Sequence, residues 1–227
     1  MKNDIKSVQK IMGARDSFKA LFRAIRQWIK GLGNRLCKLG AQHRAKKWLK
    51  NNCLILDTET TGLGDDAEIV EITIIDCTGK ILLDTLVKPI KTIPAEATAI
   101  HGITNEMVAA APTWRDIHWQ FMVLTNDRTL LIYNALFDTR LIFQTAAANN
   151  CQFLGKKYIL EAECVMEAYA EYFGERDKKR NKYKWQRLGN AAKQQGVVIE
   201  GTAHRALSDC KTTLGIIRAM AGGAQCN

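Results

Sequence analysis

The 227 residues suffice for one sizeable α/β domain plus an appendage, and a composition that is 47% hydrophobic and 25% charged with three prolines excludes a disordered or fibrous chain. No apolar run approaches the roughly 18 residues of a spanning helix, and no signal-peptide pattern is present. The seven cysteines form neither a C-x-x-C pair nor a zinc spacing, which predicts reduced thiols in a cytoplasmic protein. The net charge of +10 is unevenly placed. Residues 1–52 carry fourteen Lys and Arg against Asp4 and Asp16, or +12, whereas the rest holds nineteen bases and twenty-one acids, or −2. Such asymmetry points to an acidic partner, either nucleic acid or an anionic surface.

The chain begins with a basic helical extension over residues 1–50. Ile5, Val8 and Met12 start a weak helical stripe, and Phe18, Leu21, Phe22, Ile25, Trp28 and Ile29 continue it at helical spacing. Asp16 or Ser17 would cap this helix, and Gly31-Leu32-Gly33 is expected to stop it. A second basic helical piece then runs from about Asn34 to Leu49. Three readings stay open: a nucleic-acid arm, a helical hairpin packed on the rest of the chain or on a protein partner, and a membrane-surface helix. An organelle-targeting peptide fits poorly, because Lys outnumbers Arg and Ser is scarce.

Beyond residue 51, Cys53 to Leu56 reads as a short buried strand ending on a carboxylate. Glu68 to Asp76 alternates as a second strand, and Cys77-Thr78-Gly79-Lys80 turns into a third, Ile81 to Val87. Short helices follow near Ala95 to Ala99 and, capped by Thr104, over Asn105 to Ala110. A helix over Ile117 to Leu124, a strand over Thr129 to Tyr133 and a helix over Phe137 to Ala148 come next. A last strand is expected at Lys157 to Leu160, with a helix over Val165 to Phe173. Arg176 to Arg187 holds seven bases and one acid beside Tyr183 and Trp185, the kind of aromatics that stack on bases. Gln186 to Gln195 reads as a helix ended by Gly196, and His204 to Met220 as the last helix. Three antiparallel strands followed by alternating strands and helices predict a mixed α/β sheet flanked by helices.

The chemistry is concentrated in Asp57-Thr58-Glu59-Thr60-Thr61-Gly62. Side chains alternate along a strand, so Asp57 and Glu59 leave the backbone on one side and repel each other unless a cation lies between them. Oxygen ligands suit Mg²⁺ or Mn²⁺. A solvated surface turn would carry the same pair, so this motif needs company. Asp138 closes Asn134-Ala135-Leu136-Phe137-Asp138, and His204-Arg205-Ala206-Leu207-Ser208-Asp209 adds a histidine and a fourth carboxylate. Ile100-His101-Gly102-Ile103-Thr104 lies between them.

These blocks, in this order over about residues 51–221, resemble the DEDDh 3′-to-5′ exonucleases, whose relatives include the proofreading epsilon subunit of bacterial DNA polymerase III. The resemblance implies a ribonuclease-H-like fold for residues 51–227 and a site that holds two divalent ions, Mg²⁺ or Mn²⁺, about 4 Å apart. By the same match Asp57 bridges both ions, Glu59 and Asp209 hold the ion beside the attacking water, and Asp138 serves the ion at the leaving 3′ oxygen. His204 is the implied general base, a role that suits a histidine at neutral pH. Residues five apart on a helix differ by about 140° around its axis, so His204 and Asp209 cannot share a face and His204 belongs in the frayed first turn or the loop before it. Thr60, Thr61, Leu63, His101, Ile103 and Asn134 match positions that contact the terminal nucleotide, with Leu63 as a wedge between bases. Arg205 is not the tyrosine of the related subclass, and Tyr133 stands where relatives often carry His.

The implied activity is hydrolysis of phosphodiester bonds from a single-stranded 3′ end, with DNA favoured over RNA and nucleoside 5′-monophosphates released. Two other readings are a polymerase-associated proofreading subunit and a non-catalytic nucleic-acid-binding module. The complete set of acids and histidine weighs against the latter. Oligomeric state is not readable from these residues.

Overall fold

The computed structural model describes residue 28 and residues 31–152, 162–177, 179–180 and 182–222. The aromatic stripe of Phe18 to Ile25 and the strand expected at Lys157 to Leu160 lie outside them. In chain order the elements are helix α1 (31–50), strands β1 (Leu54–Thr60), β2 (Ile69–Asp76) and β3 (Ile81–Leu86), and helices α2 (Ala95–His101), α3 (Asn105–Val108) and α4 (Trp114–Thr125). Then come β4 (Leu130–Ile132), α5 (Ala135–Ala148), β5 (Glu163–Cys164), α6 (Val165–Phe173), β6 (Arg176–Asp177), β7 (Lys182–Tyr183), α7 (Leu188–Gln195) and α8 (Ala206–Met220).

Five strands form one sheet in the order β3-β2-β1-β4-β5. The β1–β2 and β2–β3 pairs are antiparallel, and β1–β4 and β4–β5 are parallel, which is the mixed sheet expected from the strand pattern. Every residue of β2 is buried, because helices cover both faces of the sheet. Successive residues of β1 serve opposite cores: Ile55 packs with α6, α7 and α8, while Leu54 and Leu56 pack with α4 and α5. Gly215 lets α8 lie close to the chain leaving α7, since a Cβ there would meet Val197 Cγ1 at 2.5 Å.

One local expectation needs correction. Gly31-Leu32-Gly33 does not stop a helix, for residues 31–50 are helical throughout. A helical glycine costs only about 1 kcal/mol relative to alanine, too little to end a segment that tertiary packing holds further along. The basic stretch after Phe173, given no element by its sequence, forms a small hairpin in which β6 and β7 pair Arg176 with Tyr183.

Packing of α1 is local to its second half. Ala41, Ala45 and Trp48 recur at helical spacing, are at most 2% exposed, and join Ile55, Ile75, Tyr169 and Leu214 in one core. Arg44 pairs with Glu171, and the Lys38 ammonium lies 4.7 Å from the Tyr172 ring centroid, so α1 is also tied to α6. Truncating Trp48 to alanine should therefore cost about 3–5 kcal/mol, the range for large buried aromatics. Thermal unfolding checks this: a melting temperature lowered by about 10 °C is expected, and an unchanged one would detach α1 from the folded unit.

Candidate active site

The site is built at the end of the sheet where β1 outruns β4. The parallel register matches Leu56 with Ile132, the last residue of β4, so Asp57 comes just as its neighbour strand ends. Asp57 and Glu59 alternate with buried Thr58 and Thr60, which puts both carboxylates on the α8 side of the sheet. The ladder to β2 slips between Glu59 and Thr60, a bulge that ends regular pairing at the acids.

Two helix N-termini deliver the other carboxylates. Asp138 sits in the first turn of α5 on the opposite face, is 4% exposed, and accepts a 2.7 Å hydrogen bond from the Thr58 hydroxyl. Asp209 sits in the first turn of α8. Unpaired N–H groups at such ends favour negative charge. His204 lies just outside α8, exposed, with a left-handed backbone (φ 58°). A histidine held in that sparsely populated region marks a position that its surroundings impose. The ligand atoms of Glu59, His204 and Asp209 all lie within 4.8 Å of one another.

Crowding has the expected electrostatic result. Burial, then Asp138, Asp209, Glu59 and Glu71, push the Asp57 carboxyl well above its usual range. Burial, then Asp209, Glu71 and Asp138, raise Glu59 to about 8. Burial raises Asp138 to about 7 against the Thr58 hydrogen bond, and raises Asp209 to about 6 against the pull of His204. Carboxyls pressed together in this way take up either protons or cations.

Glu71 stands out in the sequence only as a carboxylate inside an apolar strand. It lies opposite Glu59 in the β1–β2 ladder and is 4% exposed. Its oxygens accept from Arg205 Nε at 3.0 Å, from Arg205 Nη2 at 2.5 Å and from the Ala206 amide at 2.9 Å. A carboxylate on β2 thus caps α8 and grips the residue between His204 and the helix. Replacing Glu71 by glutamine keeps the shape and removes the charge. The expected result is a loss of about 2 kcal/mol of stability and a turnover lowered roughly tenfold or more, as for residues that orient a ligand. Steady-state kinetics should show KM unchanged; a rise in KM alone would make the pair a substrate-side element.

The turn after β1 is held from several sides. Thr60 Oγ1 donates to the Gly62 carbonyl, and Thr61 Oγ1 accepts from the Glu68 amide, so both hydroxyls shape the turn. His101 is buried, and desolvation lowers its pKa; its Nδ1 accepts from the Ile103 amide, and its Nε2 faces the Thr60 carbonyl at 3.2 Å as donor. Ile103 is fully buried in a small third core with Val70, Ile93 and Val108, so its side chain packs there and is not brought to the site surface. Leu63 stands 78% exposed at the turn's tip. Its carbonyl and that of Gly64 accept from Arg140, and Gln144 donates to the Gly64 and Ala67 carbonyls. Because Arg140 and Gln144 follow Asp138 on α5, one helix positions both an acid and the exposed leucine. No sequence signal marks them, since their partners are backbone carbonyls some 76–80 residues away. Asn134 is exposed at the start of α5, where its carbonyl accepts from the Phe137 amide.

A family model described as Exonuclease matches residues 54–217, which includes every one of these acids and His204. The chain belongs to the exonuclease family. An exonuclease relative from Escherichia phage 186, named uncharacterized exonuclease CP81, is 57% identical over 182 residues, 79% of this chain and 93% of its own length. The epsilon subunit of DNA polymerase III of Rickettsia prowazekii is 38% identical over 95 residues, 39% of this chain and 42% of its own. The chain thus spans nearly all of the phage exonuclease and less than half of the epsilon subunit. Among solved structures, exonuclease X in complex with 5′-overhanging duplex DNA is 28% identical with a TM-score of 0.53, covering 75% of this chain and 93% of that one. The ribonuclease-H-like exonuclease fold is therefore that of residues β1 to α8. Among the described residues no helix is long and apolar enough to cross a membrane.

Proposed function

We propose that this chain is a metal-dependent 3′-to-5′ exonuclease that releases nucleoside 5′-monophosphates, with DNA as the favoured substrate over RNA. The observation that carries the reading is the meeting of Asp57, Glu59, Asp138 and Asp209 with an exposed histidine at one end of the sheet, Glu59, His204 and Asp209 lying within 4.8 Å. Exonuclease X with its DNA and the epsilon relatives support nucleic acid, and DNA in particular.

The donor set fits hard divalent cations, Mg²⁺ or Mn²⁺, since it is dominated by carboxylate oxygens whose raised proton affinity signals unbalanced negative charge. Asp57, Glu59, Asp138 and Asp209 would hold them. Such ions, when bound, neutralise the phosphate and lower the pKa of water. Within this frame His204 takes a proton at a ring nitrogen from the attacking water, and its exposed position before α8 gives it access to solvent. Thr58 fixes Asp138, and Glu71 with Arg205 fixes the turn that bears His204. Leu63, exposed at the tip of the turn after β1, and Asn134, exposed at the start of α5, are the side chains this reading assigns to a terminal nucleotide. Residues 51–227 form the catalytic unit in this reading, in a cytoplasmic protein, and residues 1–50 an extension whose later part is built into the same core.

Digestion of 5′-labelled single-stranded DNA, duplex DNA and RNA, with and without Mg²⁺ or Mn²⁺, tests polarity, substrate and cofactor together. Ladders shortening from the 3′ end only with metal are expected; endonucleolytic cuts or metal-independent activity would overturn the reading.

The acids also predict how metal and pH combine. Glu59 at about 8, Asp138 at about 7 and Asp209 at about 6 bind protons more tightly folded than unfolded, where values are 4.5 and 3.8. Their contribution to stability is therefore complete below about pH 4 and is lost as pH rises through about 8. Metal displaces those protons. The gain in melting temperature on adding Mg²⁺ should grow between pH 6 and 8; a gain independent of pH would separate the ions from these carboxylates.

A further inference from the structure

The β6–β7 hairpin has no part in the chemistry above, yet it is the most basic segment beyond residue 52. Its charge is presented outward. Lys179, Arg180 and Lys182 are exposed, and the hairpin's ion pair among the described residues is that of Lys184 with Glu175. Two backbone amides, of Lys179 and Arg180, are tied to the Asp177 carboxylate, which shapes the turn that displays these side chains. Trp185 follows and is 56% exposed.

The hairpin is braced rather than free. Arg176 lies 4.0 Å from the Tyr183 ring centroid, and its guanidinium donates to the Tyr183 hydroxyl. That hydroxyl donates to Asn34 Oδ1 on α1 at 3.1 Å. A helix that carries six Lys and Arg and no acid over residues 31–50 is thereby tied to the hairpin at its Asn34 end.

Its base stands at the catalytic end of the sheet. The Tyr133 hydroxyl donates to the Gln186 carbonyl at 2.9 Å, and Gln186 is 5% exposed. Tyr133 follows Ile132, the β4 partner of Leu56, so it is level with Asp57 and on the same face. Trp185 is therefore one residue from a backbone anchor on Tyr133, the residue that follows β4 at the catalytic end of the sheet.

We propose that the β6–β7 hairpin, braced by α1 through Asn34, is a guide for the single strand that trails from the site, with phosphates against Lys179, Arg180 and Lys182 and an unpaired base stacked on Trp185. Clustered cations track the backbone, and a half-exposed indole stacks only on a base free of its duplex, which selects single-stranded over duplex nucleic acid. This rests on the exonuclease reading but has its own measurement.

The test uses the full-length protein with chelator, so that nothing is cleaved, and a fluorescein-labelled 20-mer of deoxythymidine read by anisotropy across NaCl concentrations. The variant K179Q/R180Q/K182Q should bind more weakly, with the slope of log K against log salt flatter by about two, at about 0.7 per phosphate contact. Trp185→Ala should weaken binding roughly 5- to 100-fold with its salt slope kept, and should leave binding of a 20-base-pair duplex unaltered. Asn34→Ala should lie between, through loss of the brace. Unchanged affinity and slope in the triple variant would overturn the guide. So would equal losses for single strand and duplex in Trp185→Ala, which would mark a general polyanion surface. Digestion of the 5′-labelled 20-mer with Mg²⁺ separates the two readings: if the parent protein fails to shorten it from the 3′ end, the exonuclease assignment fails while the binding result stands on its own.

Discussion

Asp57→Ala is expected to bring degradation below detection while the chain stays folded. Asp57 lies among the other carboxylates: Asp138, Asp209, Glu59 and Glu71 all raise its proton affinity. On the proposed metal-dependent reading, loss of a side chain so placed would affect every cation the site holds, whereas loss of Glu59 or Asp138 would each affect part of it. Stability should move the other way. In the metal-free protein at pH 8 the carboxylates repel, and removing the most crowded one relieves that repulsion, so Asp57→Ala without metal should melt at or above the parent. With Mg²⁺ the order should invert, because the parent gains from binding and the variant does not. Calorimetry of Mn²⁺ binding beside melting curves checks both halves. Wild-type degradation by purified Asp57→Ala would remove the two-ion assignment altogether.

The second large effect is on turnover alone. His204→Ala should lower the rate by roughly 10²–10⁴-fold, the usual worth of a positioned general base. His204 is exposed, outside α8 and in a left-handed conformation that glycine or asparagine adopts at less cost, so its removal should not unfold the chain. The close approach of His204 to Glu59 and Asp209 allows another role, that of a ligand. Mn²⁺ affinity decides between them: an unchanged value with a slow variant assigns the base, and a lost one assigns the ligand.

Both residues are legible from the order of amino acids, and for a plain reason. Asp57 and Glu59 are two apart on a strand, and two residues on an extended chain point the same way whatever the chain does elsewhere. His204 and Asp209 are five apart, so they cannot share a face of one helix, which leaves the histidine the frayed first turn or the loop before it; the helix begins at Ala206, and His204 takes the loop. Helix ends are similarly local. Thr104 caps α3 through the Met107 amide, and Gly196 ends α7 in the left-handed region, both readable from side-chain chemistry within a few residues.

Interactions between distant segments are a different matter. Ile103 sits in a motif that suggests nucleotide contact, yet the third core claims it fully. Glu71 and Arg205, 134 residues apart, are unremarkable singly and become a cap only when β2 and α8 meet. Gly31 and Gly33 look like a stop because local propensity is against a helix, but Ala41, Ala45 and Trp48 bury enough surface further along to hold one.

The amino-acid order was thus enough for the succession of most strands and helices, because each depends on chemistry and spacing within a few residues, whereas the acids and the histidine were picked out together by the resemblance that their blocks carry. Folding in three dimensions settled which face each acid takes relative to the others, that Arg140 and Gln144 hold the Leu63 turn from the helix bearing Asp138, and that Tyr133, the residue after β4, anchors the chain leaving the basic hairpin at Gln186. Those facts depend on contacts across the sheet between segments tens of residues apart, and no local propensity or spacing encodes such contacts.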